Sequence, residues 1–162
     1  MLKRFLARGG GWVMTQMLLI PGMILAMLGA RLINIDKSWP NWTHTPAYFG
    51  GGALLVTTSF LLTMSILHLG RNLTAFPKPL NNGTLVEHGV YAYIRHPIYT
   101  SIIVAILGLA LLLNSTVGLA FAAGTFLFFD RKAAIEEKML LAAYSGYADY
   151  RRRVRKLVPF IY

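Results

Sequence analysis

Apolar residues occur in long runs along this chain, and polar residues collect between the runs. The first run extends from about Trp12 to Ile33, and the second from about Ala47 to Leu69. Each is close to the roughly 20 residues that a helix needs to cross the hydrocarbon core of a bilayer. A third run, from Ile98 to Phe129, contains no charged residue. The pattern therefore predicts an integral membrane protein built from helices.

The third run is too long for a single span. As one helix it would measure roughly 48 Å, whereas the hydrocarbon core is about 30 Å thick. Asn114-Ser115-Thr116 lies at its middle and predicts a tight turn between two shorter helices. After it, Arg131–Tyr144 and Tyr147–Val154 are predicted as helices separated by Ser145-Gly146. The expected fold is an all-α integral membrane protein with about four transmembrane helices, the last two forming a short-loop hairpin, followed by cytoplasmic C-terminal helices.

The composition supports one membrane-embedded domain over residues 1–162, with two N-terminal spans in 1–70 and a second part in 71–162. The chain is 56% hydrophobic and 14% charged, with a mean hydropathy of +0.53. It has no cysteine, which excludes disulfides, thiolate metal sites and a cysteine nucleophile. The net charge of +10 lies mostly at the two ends of the chain. Basic residues beside apolar spans indicate topology and contact with anionic lipid, so no nucleic-acid partner is expected.

The basic residues are distributed unevenly among the connections. Three precede the first run, three lie in the 71–95 connection, and eight follow Phe129, whereas the 36–46 connection has one and the 114–116 turn has none. The positive-inside rule therefore places both termini and the 71–95 connection in the cytoplasm. The membrane would be the inner membrane of a bacterial cell or the endoplasmic reticulum of a eukaryote.

The segment Arg95-His96-Pro97-Ile98-Tyr99 comes directly before the third run. Pro97 suits the first position of a helix, where its missing N–H costs nothing. The free N–H groups of a helix N-terminus favour an anion, and Arg95 adds a planar set of donors for a carboxylate or phosphate. Alternatively, Arg95 is only a topology charge at the membrane boundary.

Two adjacent acids, Glu136 and Glu137, follow the third run in a strongly basic tail. Lys132 precedes Glu136 by four residues, so an exposed helical ion pair is one explanation. The other is a carboxylate that binds a cationic ligand or accepts a proton. Arg131 and Glu136 are roughly 140° apart on an ideal helix, so they would contact a common ligand only by flanking it or across a bend. No metal is expected, because His88 and His96 have no evident third ligand.

In this order, these segments resemble the C-terminal core of the isoprenylcysteine carboxyl methyltransferase and phospholipid methyltransferase superfamily of integral membrane methyltransferases. The resemblance extends from about Arg71 to Tyr162 and implies that 71–162 forms a cofactor-binding catalytic core. One departure is Gly89-Val90-Tyr91, where the family usually has Gly-Pro-Tyr. The matching segments are Phe76-Pro77, Leu85 to Tyr91, Arg95-His96-Pro97-x-Tyr99, Arg131 with Glu136-Glu137 and Leu140, and Tyr147-x-x-Tyr150 with Pro159-Phe160.

The resemblance implies S-adenosylmethionine as cofactor, bound in a cytoplasm-facing pocket without a Rossmann domain, and a lipophilic methyl acceptor. It implies that Arg131 and Glu136 face the acceptor as the catalytic residues. It also implies that the cofactor is held by His88, Tyr91, Arg95, His96, Pro97, Tyr99 and Glu137.

Carboxyl O-methylation of an isoprenylcysteine-type substrate is the favoured interpretation, and N-methylation of a phospholipid of the phosphatidylethanolamine type is the alternative. A sterol-type reductase has a similar C-terminal region, but 162 residues are few for that architecture with its nicotinamide cofactor. A non-enzymatic membrane scaffold would explain the apolar runs but not the two polar clusters on one side. Binding of S-adenosylmethionine or of NADPH would separate these three classes.

Overall fold

The computed structural model describes residues 9–33, 39–76, 78–79 and 82–162. The basic residues Lys3, Arg4, Arg8 and Lys37, which entered the topology prediction, and Pro77 lie outside these ranges. Within them the fold is all-α, as predicted, with short 3₁₀ turns at Gly70–Asn72 and Gly89–Ala92. The five α-helices are α1 (Gly10–Leu32), α2 (Asn41–Leu69), α3 (Pro97–Leu112), α4 (Thr116–Ala143) and α5 (Tyr147–Arg153).

The apolar runs form helices, but among the described residues two of them, rather than the predicted four or so, have the length and hydropathy of a membrane span. Helices α1 and α2 are both long and apolar enough to cross a membrane, and α3 is a shorter apolar helix of 16 residues. The third run breaks where Asn114 adopts a left-handed backbone conformation with φ 48°. Ser115 then caps α4 by accepting a hydrogen bond of 2.9 Å from the N–H of Gly118. The predicted hairpin is thus present, at the predicted turn.

Helix α4 continues from the apolar run into the charged segment without a break. Its 28 residues extend about 42 Å. The sequence predicts a division of this region at Phe129, but strong helix formers follow that residue and neither glycine nor proline interrupts them before Ala143. Glu136 and Glu137 therefore lie on the same continuous helix as the apolar first half of α4. The predicted break at Ser145-Gly146 separates α4 from α5, as expected.

Small residues allow the helices to pack closely, as is typical inside membranes. A Cβ added at Gly51 of α2 would lie 2.7 Å from the carbonyl oxygen of Gly108 in α3. At Gly118 of α4, an added Cβ would lie 2.7 Å from both Ala110 Cβ and Met27 Cε. These contacts join α2 to α3, and α4 to both α3 and α1.

Long-range hydrogen bonds show which connections share an end of the bundle. Arg31 Nη1, at the end of α1, donates to the carbonyl of Leu113 at 2.6 Å. Trp39 Nε1, before α2, donates to Thr116 Oγ1 at 3.0 Å. Arg31 and Trp39, which flank the connection between α1 and α2, therefore lie beside the α3–α4 turn. The Arg95–Tyr99 segment and the charged half of α4 lie at the opposite end of these helices, which is the grouping that the basic residues predict.

Candidate functional site

A cavity of about 430 Å³ lies at the end of the bundle that carries the Arg95–Tyr99 segment. It is enclosed by the start of α3, the charged half of α4, α5 and part of the connection between α2 and α3. Its volume is within the roughly 300–1,000 Å³ of small-molecule sites. The lining combines apolar surface with five tyrosines, Tyr91, Tyr99, Tyr144, Tyr147 and Tyr150, and with the charged or titratable side chains of Arg95, His96, Lys132 and Glu136.

The backbone around Arg95 is fixed by the segment that follows α5. The N–H of Arg95 donates to the carbonyl of Arg155 at 2.8 Å, and the N–H of His96 donates to that of Lys156 at 3.1 Å. Pro97 then begins α3, as predicted. Thr100 Oγ1 adds a hydrogen bond of 2.7 Å to the carbonyl of Leu157. The segment from Arg95 to Thr100 is thus held by residues 57–60 positions further along the chain.

Arg95, which lines the cavity, forms a buried ion pair with Glu137. Arg95 Nε and Nη2 each lie 2.8 Å from Glu137 Oε1, and the two side chains are only 8% and 4% exposed. His96 Nε2 is 3.1 Å from the same oxygen, and Arg151 Nε is 3.3 Å from Oε2. Arg95 also donates to the carbonyls of Arg151 and Val154. Its donors therefore bind this chain's own acceptors rather than a ligand anion.

The surroundings of Glu137 favour its charged form. Burial raises the pKa of this carboxyl, but the hydrogen bond with His96 and the charges of His96 and Arg95 outweigh burial. The net result is a pKa below the usual value for glutamate. Glu137 is thus an ionised anchor at the base of the site, and it is not among the residues that line the cavity.

The ring of Tyr99 lies between two other rings in the cavity wall. It stacks on His96, with centroids 5.3 Å apart and planes 1° apart, and on Phe129, with centroids 4.7 Å apart. Its hydroxyl donates to Glu136 Oε2 at 2.6 Å. Glu136 lines the cavity with a side chain that is 21% exposed. Among the described residues, it is the one carboxylate in the lining, and Tyr99 fixes its orientation.

Lys132, and not Arg131, is the basic residue that α4 turns toward the cavity. Arg131 is exposed and is not part of the lining, whereas Lys132 is 1% exposed and lines it. Successive helical residues are rotated by 100°, so only one of the two can face inward. Burial lowers the pKa of the Lys132 ammonium group, and the charge of Glu136 acts in the opposite direction. The sequence analysis considered Lys132 only as an exposed partner of Glu136.

Of two further predicted residues, Tyr91 lines the cavity and His88 lies outside it. Tyr91 is buried in the lining, and its hydroxyl donates to the carbonyl of Ser65 at 3.3 Å. His88 is exposed, lies outside the lining and packs edge-on against His68. Gly89, between them in sequence, has φ +60°, and an added Cβ would lie 2.5 Å from the His68 ring. A glycine is therefore needed at this turn, and the turn forms with Val90 in place of proline.

Tyr147 lines the cavity, whereas the sequence predicts it only as part of the terminal helix and of the Tyr147-x-x-Tyr150 match. Its side chain is 1% exposed, and its hydroxyl has no hydrogen-bond partner within the described part of the chain. Buried hydroxyls are normally paired, so this group is suited to a polar atom of a ligand. Burial keeps the pKa of Tyr147 above its usual value, so it remains a donor. The spacing of Tyr147 and Tyr150, three residues apart, indicated that both lie on one face of α5, and this face is the buried one.

Comparison with known proteins gives one consistent family. Residues 52–142 match the model of the isoprenylcysteine carboxyl methyltransferase (ICMT) family. The chain is 37% identical over 79 residues to the protein-S-isoprenylcysteine O-methyltransferase of Tribolium castaneum, covering 48% of this chain and 28% of that protein. It is 32% identical over 111 residues to the cobalt-zinc-cadmium resistance protein CzcN of Cupriavidus metallidurans, covering 65% of this chain and 50% of that protein.

The fold also matches a solved structure, that of the eukaryotic intramembrane Ras methyltransferase ICMT. The TM-score is 0.63 at 30% sequence identity, and the match covers 74% of this chain and 43% of that chain. The matched region is at most half of each of these three proteins. Together with the apolar helices α1 and α2, this match identifies an integral membrane protein.

Proposed function

Because this chain belongs to the isoprenylcysteine carboxyl methyltransferase family, we propose that it methylates the carboxylate of a lipophilic, isoprenylcysteine-type acceptor, using S-adenosylmethionine. Members of this family are S-adenosylmethionine-dependent methyltransferases. The observation that carries the proposal is the cavity at the end of the bundle, where Tyr99 and Glu136 from two distant motifs meet through a hydrogen bond of 2.6 Å.

The residues around the cavity fit such a cofactor. Glu136 offers a negative charge to a cationic centre, and the tyrosine rings offer flat apolar surface to a base. The unpartnered Tyr147 hydroxyl offers a hydrogen bond to a polar group. We assign the contacts with the cofactor to Tyr91, His96, Pro97, Tyr99 and Tyr147, all of which line the cavity.

The remaining predicted residues are not assigned to contact with the cofactor. Arg95 lines the cavity, but its donors hold Glu137 and the end of α5, so the pair positions the wall. His88 lies outside the lining, and a role for it in cofactor binding stays a prediction. The same holds for Arg131 at the acceptor.

When bound, S-adenosylmethionine supplies a methyl group on a sulfonium, which is transferred by in-line displacement. Most of the work of the protein is then to position the reactants and exclude water. An acceptor carboxylate is already nucleophilic and needs no general base. Glu136, oriented by Tyr99, would hold the cationic sulfonium in position by electrostatic attraction, and the apolar lining would keep water away.

We place this site on the cytoplasmic face, together with both termini, on the distribution of basic residues. The lipophilic part of the acceptor would lie between the helices, with its polar end in the cavity. The two motifs lie where apolar helices give way to charged segments, and this is the depth at which an amphipathic acceptor presents its polar end.

One observation favours the second candidate, N-methylation of a phospholipid amine. An ammonium acceptor must lose a proton before it can attack, and Glu136 is a carboxylate in the cavity that could accept it. The two candidates therefore assign different roles to the same residue, electrostatic stabilisation in one and proton acceptance in the other.

The test is calorimetric titration of the detergent-solubilised protein with S-adenosylhomocysteine and, separately, with NADPH. Saturable binding of S-adenosylhomocysteine alone is expected. Failure of a folded sample to bind it would refute the proposal, and binding of NADPH alone would indicate a reductase. Glu136→Gln is expected to abolish turnover while the binding of S-adenosylhomocysteine survives. Loss of binding in a folded Glu136→Gln variant would move this residue from the transfer step to the cofactor site.

A further inference from the structure

A mostly buried ion pair outside the cavity joins the residues after α5 to α4. Lys156 Nζ donates a hydrogen bond to Asp130 Oδ1, and the two side chains are only 13% and 17% exposed. Neither residue lines the cavity. We infer that Asp130 and Lys156 are positioning residues, which hold the Arg95–Tyr99 segment in the cavity wall and thereby set the affinity for the cofactor. This inference rests on the proposed function and deepens it, because it names residues that shape the cofactor site without touching the ligand.

The residues that follow α5, 154–162, form a segment that we call the C-terminal strap. The carbonyl of Lys156 accepts a hydrogen bond of 3.1 Å from the N–H of His96. The carbonyls of the residues on either side also accept hydrogen bonds from the 95–100 segment. Lys156 therefore binds α4 through its side chain and the cavity wall through its backbone. A displacement of its side chain would be passed directly to the backbone of that wall.

The contacts form a closed ring that begins and ends on α4. From Asp130 the ring passes to Lys156 and on to His96. The His96 ring stacks on Tyr99, and the Tyr99 hydroxyl donates to Glu136 Oε2 at 2.6 Å. Glu136 follows Asp130 by six positions on the same continuous helix. Because α4 fixes the separation of these two carboxylates, the ion pair at one end helps to set how Tyr99 meets Glu136 at the other.

Tyr162 reinforces the attachment of the strap. Its hydroxyl donates at 2.8 Å to Asp130 Oδ1, the oxygen that also binds Lys156, and the Lys156 ammonium lies 5.5 Å from the centroid of its ring. The backbone oxygen of Tyr162 accepts from the N–H groups of Leu157 and Val158, at 2.8 and 2.6 Å. The strap thus folds back on itself and presents two side-chain donors to one carboxylate. Such charge-assisted bonds are stronger and more specific in geometry than neutral ones.

A purely structural role for the ion pair is the competing explanation. Glu137 already binds the side chains of Arg95 and His96, and these bonds alone could hold the wall. Asp130 and Lys156 would then add stability without affecting the ligand. The two explanations differ in the folded protein, since only the inference requires that loss of the ion pair loosen the His96 backbone and weaken cofactor binding.

The experiment measures both quantities in Asp130→Asn, in detergent and well below the unfolding temperature. Hydrogen exchange, followed by mass spectrometry of peptides that cover 94–99, detects opening of the backbone bonds to the strap. Exchange there is expected to become about tenfold faster. The calorimetric dissociation constant of S-adenosylhomocysteine is expected to rise about tenfold, the effect of one hydrogen bond to a charged group. Asp149→Asn is the matched control and should change neither quantity, because its ion pair with Arg152 is exposed and lies outside the lining.

Variants of Lys156 separate the ion pair from general damage to the strap. Lys156→Gln is expected to reproduce both effects of Asp130→Asn, whereas Lys156→Arg keeps the charge and should stay within about threefold of the native values. Combining Asp130→Asn with Lys156→Gln should add little to either single change, because both remove the same interaction. Fully additive effects, or equal losses in Lys156→Arg and Lys156→Gln, would overturn the inference.

The inference would also be overturned by unchanged exchange at 94–99 in Asp130→Asn, or by faster exchange with unchanged affinity for S-adenosylhomocysteine. If Asp130→Asn does not fold, Tyr162→Phe replaces it, since this change removes only one of the two donors to the carboxylate. Exchange and the dissociation constant should then each rise about threefold, and no change would again refute the positioning role. Absence of S-adenosylhomocysteine binding by the native protein would remove the proposed function, whereas the exchange measurement would still decide whether the ion pair holds the wall.

Discussion

Replacement of Glu137 by glutamine tests whether the buried ion pair with Arg95 holds the site together. The substitution keeps the size of the side chain and removes its charge. Arg95, only 8% exposed, would then be a buried cation without a carboxylate partner. We expect a clear loss of stability, because an uncompensated buried charge is costly.

The size of the effect follows from the contacts that remain. Removing one member of a buried ion pair typically costs about 3–5 kcal/mol. Arg95 would keep its hydrogen bonds to the carbonyls of Arg151 and Val154, so the lower end, about 3 kcal/mol, is expected. For a chain of this size each kcal/mol corresponds to roughly 2–4 °C in the unfolding midpoint. The midpoint should therefore fall by about 6–12 °C.

The assay is thermal unfolding in detergent, followed by far-ultraviolet circular dichroism. Glu87→Gln is the matched control, because Glu87 pairs with Arg153 at 2.7 Å but the two side chains are 36% and 66% exposed. Exposed pairs contribute between about 0 and 1 kcal/mol. If Glu137→Gln lowered the midpoint no more than Glu87→Gln does, the argument from burial would be refuted.

Lowering the pH should weaken the ion pair between Arg95 and Glu137 without any substitution, because it protonates Glu137. The pKa of Glu137 is lowered in the folded state, so its contribution is fully present above the unfolded value of about 4.3. It is lost as the pH falls through the folded-state pKa, since the unfolded chain binds the proton more readily. The difference in midpoint between the native protein and Glu137→Gln should therefore shrink in that acidic range. A difference that stayed constant there would contradict the assignment.

Two further predictions concern helix packing and the cavity. Gly51→Ala should lower the unfolding midpoint, because its Cβ would lie 2.7 Å from the carbonyl of Gly108. Gly52→Ala, where no atom lies within 4 Å, should raise it slightly through helix propensity, and equal shifts would contradict the packing argument. Tyr99→Phe removes the hydroxyl that orients Glu136 and should lower kcat about tenfold, the effect of one hydrogen bond to a charged group. Its unfolding midpoint should change little, and an unchanged kcat would refute the orienting role.

The sequence was sufficient for the fold where a local signal existed. An uncharged run too long for one helix, with Asn114-Ser115-Thr116 at its middle, predicted the hairpin correctly. Ser145-Gly146 predicted the end of α4 in the same way. The resemblance also joined Tyr99 to Glu136, which lie 37 positions apart and share a hydrogen bond.

Three features depended on tertiary contacts that no local pattern encodes. The rotation of α4 about its axis decides between Arg131 and Lys132, and it is set by packing against α1 and α3. The free donors at the start of α3 suggested a bound anion, but Glu137 from α4 occupies the Arg95 guanidinium. Tyr147 reached the cavity because α5 folds back over it. In each case the residue types were present in the sequence, and a long-range contact determined which of them lines the cavity.

The contribution of α1 to the cavity has a consequence for how such a site can diversify. The segment that matches the family, residues 52–142, contains Tyr99, Lys132 and Glu136 but not α1. Gln16, which holds Lys132, comes from this first helix, where only Gly10 and Met27 are buried. Because so few residues of α1 are buried, most of its positions can change in evolution without altering the cavity residues that the other helices supply. If the proposed function holds, exchange of this one helix would alter the acceptor while the residues of the matched segment stay the same.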